Sequence, residues 1–181
     1  MHIREMDFRR QWLKELFNGL KTAIQEIVLE LDEVDWYDGL HAKEDSESVF
    51  GIAFVAAQIY ITGTVSDLKE MVNCPKEIYK GSLLALDTRV IREGINAIQL
   101  IDAIANYFKH HDEWSDWRTT SKNKRTISML NRSGITKDTE FPCYYAATLL
   151  WSEEEIGNFD NLLDILVCWR KNVLSKKDYS N

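Results

Sequence analysis

Proline and glycine are scarce in this chain of 181 residues, with 2 prolines and 8 glycines. So few turn-forming and helix-breaking residues exclude a collagenous chain, a linker-rich chain and a turn-dense all-β fold. A hydrophobic fraction of 45% excludes a disordered tail, because such a chain can bury one core. We therefore expect a single all-α domain over residues 1–181, a bundle of five or six helices with one long central helix.

Cysteine is also rare, and no two cysteines have the C-x-x-C spacing of zinc and redox sites. Cys74, Cys143 and Cys168 are odd in number and widely spaced, so a disulfide framework is not expected. Motifs for nucleotide phosphates, zinc proteases and serine hydrolases do not occur. We expect reduced thiols, a cytoplasmic location, no cofactor and no dedicated metal site.

A signal peptide is not expected, because charged residues lie within the first seven positions. The uncharged run from Ser48 to Ser66 is about as long as a marginal transmembrane span. Gln58, two threonines and two glycines dilute its hydrophobicity, which favours a buried core helix and no membrane partner. The β-branched residues of Phe50–Val65 leave a strand as the alternative.

Apolar periodicity and capping residues predict six helices and no strand pair. The first, over about residues 4–31, carries an apolar stripe at Phe8, Trp12, Leu16, Leu20, Ile24, Ile27 and Leu31. The second covers about 47–72 after a cap at Asp45 or Ser46, and a long third helix runs from Lys76 to about Glu113, bent near Gly81 or Gly94. Short helices follow over 121–132, closed by Gly134, and over Phe141–Trp151. The last helix follows a capping box at Ser152–Glu155.

A polar stripe with histidines lies near the end of the third helix. Spacings of three and four residues put the following side chains on one helix face: Asp102, Asn106, Lys109 or His110, and Glu113. The adjacent histidines have three interpretations: capping of helix carbonyls, phosphate contact with catalysis, and metal binding by His110 or His111 together with Asp102, Asp112 or Glu113.

The segment Ala105-Asn106-Tyr107-Phe108-Lys109-His110-His111 resembles the signature of HEPN-type helical proteins. In that signature an arginine, a polar residue, three variable residues and a histidine lie near the end of a bundle helix. The resemblance covers these seven residues and the all-helical outline. It implies a homodimer that acts on RNA in a stress or defence setting, as a metal-independent endoribonuclease. Only two residues carry over from the signature: His110 acts as general acid or base, and Asn106 orients the phosphate. We add Lys109 to this hypothesis as a positive charge that helps to orient the phosphate.

The chain departs from this signature at Ala105, where the nucleases of the family carry the arginine. Lys109 supplies a positive charge but lacks the bidentate fork of an arginine. The departure argues for an inactive or repurposed member, so cleavage and binding without cleavage both stay open.

The net charge of −7 conceals a local basic stretch. Residues 118–137 contain no acid and six cations, of which we expect the first five to contact RNA phosphates: Arg118, Lys122, Lys124, Arg125, Arg132 and Lys137. Trp114 and Trp117 precede this stretch, and aromatic rings beside cations are typical of proteins that bind single strands. The alternatives are a solvated surface and a non-catalytic module whose basic and acidic faces match a protein partner, since residues 26–47 contain nine acids.

Overall fold

The computed structural model describes residues 6–71, 79–92, 94–114, 117–151 and 155–175. In these ranges it contains seven α-helices: α1 Phe8–Glu33, α2 Gly39–Met71, α3 Lys80–Leu84, α4 Ala97–His110, α5 Lys124–Ser133, α6 Pro142–Leu150 and α7 Phe159–Ser175. An antiparallel ribbon of β1 Val90–Arg92 and β2 Ile95–Asn96 precedes α4, and a 3-10 turn, His111–Glu113, follows it. The predicted all-α bundle is confirmed. The prediction of no strand pair is wrong for this short ribbon.

Helix α2 is the long central helix, and it contacts α1, α4, α6 and α7. The uncharged run lies within it, and Phe54, Tyr60 and Ile61 are fully buried there. A helix over this run is therefore confirmed, and the strand alternative is wrong. By length and composition alone, residues 39–70 are long and apolar enough to cross a membrane. Within the bundle, 61% of the most apolar stretch of this helix is buried, as in the core helix of a soluble protein.

Helix α2 begins at Gly39 rather than near residue 47. Asp38 Oδ1 accepts hydrogen bonds from two backbone N–H groups of the first turn, at 2.9 and 3.1 Å, so Asp38 caps the helix. The prediction of a cap at Asp45 or Ser46 is wrong. Ser46 lies inside the helix, where its hydroxyl donates to the carbonyl of Ala42 at 2.6 Å.

The prediction of one long helix from Lys76 to Glu113 is wrong. Residues 76–78 and 93 lie outside the described residues, and the described remainder contains α3, the ribbon, α4 and the 3-10 turn. Gly94, between the two strands, has a φ of +65°, which side chains other than glycine rarely adopt. Asn96 then starts α4 with a capping box, since it accepts from the N–H of Gln99 at 2.9 Å and donates its own N–H to the Gln99 side chain at 3.1 Å.

Helix α1 packs on the core through a face that overlaps the predicted stripe only in part, at Leu20, Ile24 and Ile27. Its buried residues are Leu13, Phe17 and Ile24. Trp12 and Leu16, which belong to the stripe, are 40% and 38% exposed. An offset of one residue turns a helix by about 100°, so part of the stripe faces solvent beside α2.

The later helices follow the predicted signals more closely. Gly134, with a φ of +89°, closes α5, and the N–H of Ile135 donates to the Leu130 carbonyl at 2.9 Å. Pro142 is the first residue of α6. Helix α7 starts at Phe159, later than predicted, and residues 152–154 of the predicted capping box lie outside the described residues. Its predicted apolar residues are buried: Phe159, Leu162, Leu163, Leu166, Val167 and Trp169.

Polar side chains of α2 and α7 connect helices across the core. Glu47 of α2 accepts two backbone N–H groups of the first turn of α6, each at 2.8 Å, and thereby caps that helix. Burial, reinforced by Glu47, raises the pKa of the Cys143 thiol well above its usual range, so this cysteine is a poor nucleophile. Arg170 of α7 is buried, donates to Thr64 Oγ1 at 3.2 Å and pairs with Asp67 at 3.4 Å.

Candidate nucleic-acid interface

A groove runs between α4, α5 and the loop of residues 118–123 that precedes α5. It consists of two adjoining cavities of about 750 and 250 Å³, which share Asn106, Lys122 and Thr126. Its charged, aromatic and histidine side chains come from four parts of the chain: Lys80, Asp102, His110, Glu113, Trp114, Arg118, Lys122 and Arg125. We call this feature the α4–α5 groove.

The groove collects only part of the predicted RNA-binding set. Arg118 and Lys122 line the larger cavity, and Lys122 and Arg125 line the smaller one. Lys124 is exposed at the first position of α5 and lines neither cavity. Arg132 lies towards the other end of α5, where its guanidinium donates to the Gly94 carbonyl at 3.3 Å. The basic stretch is therefore divided between the groove and the surface away from it.

The buried side chain of Asn123 organises the loop of residues 118–123. Its Oδ1 accepts from the backbone N–H and hydroxyl of Thr120, at 2.6 and 3.0 Å. Its Nδ2 donates to the carbonyl of Arg118 at 3.1 Å. These hydrogen bonds hold the loop backbone in one conformation. The side chains of Arg118 and Lys122 therefore project from a fixed loop at the edge of the groove.

The charge of the groove opposes the charge of the chain. Four cations line it, Lys80, Arg118, Lys122 and Arg125, against two carboxylates, Asp102 and Glu113. The formal charge of these lining residues is therefore +2, whereas the whole chain carries −7. A local positive potential of this kind attracts anions although the protein as a whole repels them.

Beneath the groove, a polar network connects α2 with α3 and α4. Gln58, 6% exposed, donates from Nε2 to Asp102 Oδ1 at 2.8 Å and to Asn106 Oδ1 at 3.0 Å. Gln58 Oε1 accepts from the amine of Lys109 at 2.6 Å. The amine of Lys80 pairs with Asp102 Oδ1 at 2.7 Å. We call these five residues the Gln58 network.

Lys109 therefore faces α2 rather than the groove. Burial lowers the pKa of the Lys109 amine, the nearby Asp102 carboxylate opposes that shift, and Lys80 adds to it. The side chain also borders an apolar cavity of about 370 Å³ that includes Trp12 and Ile52. Lys109 lines neither cavity of the groove.

His110 lies at the wall of the larger cavity. Its Nδ1 is 3.2 Å from Glu113 Oε1, so the carboxylate orients the imidazole. His111 points elsewhere, because its Nδ1 bonds the Phe108 carbonyl at 3.1 Å and its ring stacks on Tyr107 at 5.1 Å between centroids. The two adjacent histidines thus have different surroundings, and His110 is the one that faces a ligand-sized space.

Aromatic rings support one end of the groove. Tyr107 packs against Trp114 and Trp117 with ring centroids 5.8 and 5.7 Å apart. The indole N–H of Trp117 donates to Asn131 Oδ1 at 3.0 Å, and Trp114 lines the larger cavity. The groove consequently has one aromatic wall that is held in place by two further rings.

Ala105 is fully buried in the core. The next residue, Asn106, lines the groove, and consecutive helix residues point about 100° apart. An arginine at position 105 would therefore point into the core instead of into the groove. Position 105 therefore belongs to the core of the bundle and not to the groove.

Sequence reasoning missed three residues that build this site, Gln58, Lys80 and Asn123. Gln58 is 44 positions from Asp102, so no local pattern links them. The spacing of Asp102, Asn106 and Lys109 could have indicated such a partner. A polar stripe on a helix that packs against the core requires hydrogen-bond partners on a neighbouring element.

Among the described residues, no three His, Cys, Asp or Glu side chains come together in an arrangement that could hold a metal ion. His111 does lie 3.1 Å from Asp112, but this is a single pair. No metal site is therefore assigned to the histidine segment.

No protein-family model, curated protein or solved structure matches this chain significantly.

Proposed function

We propose that the α4–α5 groove binds RNA through its phosphate groups. The observation that carries the proposal is the convergence of four cations from α3, the 118–123 loop and α5 on one groove of an otherwise acidic chain. Cations that contact phosphates release condensed counterions, and this release supplies most of the sequence-independent affinity for a nucleic acid.

Trp114 favours single-stranded RNA as the ligand. Its indole lines the larger cavity beside Arg118 and Lys122, so a base and its phosphate can be held together. A cavity of about 750 Å³ is within the range of sites for small ligands, which suits one unstacked base and its sugar-phosphate. Stacking of a base on an aromatic ring contributes about 1–3 kcal/mol to the binding free energy. The bases of a duplex are paired and stacked on one another, so they are not free to stack on a protein side chain.

Binding, rather than cleavage, is the principal activity in this proposal. His110 with Glu113 supplies an oriented imidazole for acid–base chemistry at a bound phosphate. However, Ala105 provides no guanidinium to stabilise charge on the phosphate during cleavage. A HEPN-like origin, with a role in stress or defence, belongs to the same proposal and is supported by the segment from Ala105 to His111.

A cytoplasmic location completes this proposal. Cys143 and Cys168 are free thiols, which fit a reducing compartment.

Fluorescence anisotropy with labelled single-stranded RNA tests the proposal. We expect binding at low salt that weakens as salt rises, with a log–log slope of about −0.7 for each phosphate contacted by a cation. Unlabelled duplex RNA should compete poorly. The absence of binding at low salt would exclude this function.

A second candidate function is supported by the surface formed by α1 and α2. Trp12, Leu16, Ile52 and Ile59 are exposed, and Val55 and Phe108 complete an apolar cavity between them. We call this surface the α1–α2 apolar face. Exposed apolar side chains grouped in this way mark interaction sites.

The occupant that we propose for this face is a second copy of the chain. Two copies that carry −7 each repel one another wherever their charges meet. Helix α2 has no charged residue from Ser48 to Ser66, so on α2 this face avoids the repulsion. A two-fold contact would bring the same apolar residues of both copies together, and the protein would then be a homodimer.

A further inference from the structure

The chemistry of its neighbours fixes the orientation of the Gln58 side-chain amide. A protonated lysine amine only donates, so the Gln58 atom 2.6 Å from Lys109 Nζ is the oxygen. A carboxylate only accepts, so the atom 2.8 Å from Asp102 Oδ1 is the nitrogen. Both ends of the amide give the same assignment, and Gln58 therefore has one orientation.

Gln58 in turn fixes the amide of Asn106. The Gln58 nitrogen also lies 3.1 Å from the Asp102 backbone carbonyl, so its two N–H groups are shared among three acceptors, the third being an Asn106 side-chain atom at 3.0 Å. An amino group at that third position would place two donors face to face, so the Asn106 atom is Oδ1. Asn106 Nδ2 is then directed away from Gln58. The described part of the chain offers it no hydrogen-bond acceptor, and Asn106 lines both cavities of the groove. Asn106 thus presents N–H groups to the groove. The neighbouring Lys122 amine is likewise a hydrogen-bond donor and not an acceptor.

We propose that Gln58 is a positioning residue that holds Asn106 as a hydrogen-bond donor to a phosphate oxygen of the ligand in the α4–α5 groove. This inference rests on the proposed function, because it concerns the way in which that groove recognises an oxyanion. Without Gln58, the Asn106 amide is free to turn and to present its carbonyl oxygen to the phosphate. Two acceptors that face each other repel, so the turned amide weakens binding.

A double-mutant cycle on RNA affinity tests the positioning role. Asn106→Ala should weaken binding of a labelled single-stranded RNA about tenfold, as expected for a hydrogen bond to a charged acceptor. Gln58→Met, which keeps the length of the side chain but removes its hydrogen bonds, should weaken binding several-fold. Gln58→Met in the Asn106→Ala background should change affinity by less than about twofold, because the residue through which Gln58 acts is gone.

Hydrogen exchange of the side-chain amides, measured by NMR on the unmutated protein without RNA, tests the geometry separately. The Gln58 NH₂ protons should exchange slowly and the Asn106 NH₂ protons rapidly. Slow exchange at Asn106 with rapid exchange at Gln58 would overturn the assignment of orientation. Additive losses in the mutant cycle would overturn the positioning role, since Gln58 would then act independently of Asn106. If the unmutated protein binds no RNA, the proposed function and the positioning role both fail, and the exchange rates still report the orientation.

Discussion

The amine of Lys109 donates to Gln58 Oε1 at 2.6 Å, although the two residues are 51 positions apart. This bond joins the last turn of α4 to the centre of α2. The sequence hypothesis has Lys109 orient a phosphate, whereas in the structure its amine donates to Gln58 of a neighbouring helix. In the proposed positioning role, Lys109 contributes to the groove indirectly, through the orientation of Gln58 and Asn106.

Replacing Ala105 with arginine tests whether the missing arginine reflects loss of function or a different helix register. Ala105 is fully buried, so Ala105→Arg forces a charged and bulky side chain into the core. We expect the free energy of unfolding to fall by about 3 kcal/mol or more, with no gain of RNA cleavage. Urea denaturation measures the loss, and Ala85→Arg at an exposed position is the control. A stable Ala105→Arg protein that cleaves RNA would show that residue 105 reaches the groove.

The local signals in the sequence predicted some of these elements better than others. Gly134 and Pro142 act through their own backbone geometry, so the ends that they define were predictable. The break before α4 was hidden, because Ile91, Ile95 and Ile98 keep a helical spacing across the ribbon. A capping residue such as Asn96 is recognisable only when the apolar pattern also changes there.

The candidate site was predictable only in part, for a related reason. Arg118, Lys122 and Arg125 were identified by composition, as were Lys124 and Arg132, which lie outside the groove. Composition gives the charge of a stretch but not the side of the helix that faces a cavity. The side is set by packing of α5 on α4, which brings together residues distant in sequence.

His110→Ala separates catalysis from binding. If the groove cleaves RNA, the variant should lose about a hundredfold or more of that activity, because acid–base catalysis contributes roughly 10²–10⁴. RNA affinity should change little, since His110 is not one of the four cations. The matched control is His111→Ala, whose imidazole stacks on Tyr107 instead of facing the groove. Equal loss of cleavage in both variants would exclude His110 as the acid–base group. A loss of about 0.5–1 kcal/mol of stability without any change in activity would assign it to helix capping.

Charges placed on the α1–α2 apolar face should prevent self-association. We expect size-exclusion chromatography with light scattering to give twice the chain mass for the unmutated protein. Ile52→Glu combined with Ile59→Glu should give the monomer mass, because two like charges would then face each other across the contact. Val28→Glu with Leu29→Glu, at exposed apolar positions elsewhere on α1, should leave the dimer intact. A monomer mass for the unmutated protein at micromolar concentrations would contradict this proposal. If the protein instead sedimented together with lipid vesicles, the occupant of the face would be a membrane.

Stability should fall at alkaline pH as buried tyrosines lose their protons. Burial raises the pKa of Tyr107 to about 12, from an ordinary value of 10.0, and Cys143 and Glu47 add to the shift. The folded protein therefore holds this proton more tightly than the unfolded chain. The resulting stability is fully present below pH 10 and is lost as the pH rises towards about 12. Urea denaturation across this range measures the effect, and Tyr107→Phe should reduce it. Simultaneous titration of all seven tyrosines near pH 10, seen by tyrosinate absorbance, would contradict the expectation.

The most direct test of RNA binding in the groove compares two double variants with the same change of charge. Arg118→Glu with Lys122→Glu alters the groove, and Lys124→Glu with Arg132→Glu alters cations outside it. Salt-dependent anisotropy with single-stranded RNA is the measurement. We predict that the groove variant binds at least about tenfold more weakly and loses about 1.4 from the magnitude of the salt slope, since each single-strand phosphate contact contributes about 0.7. The second variant should retain most of the affinity and the slope. Equal losses in the two variants would show that RNA responds to the general charge of residues 118–137 and would contradict a site in the groove.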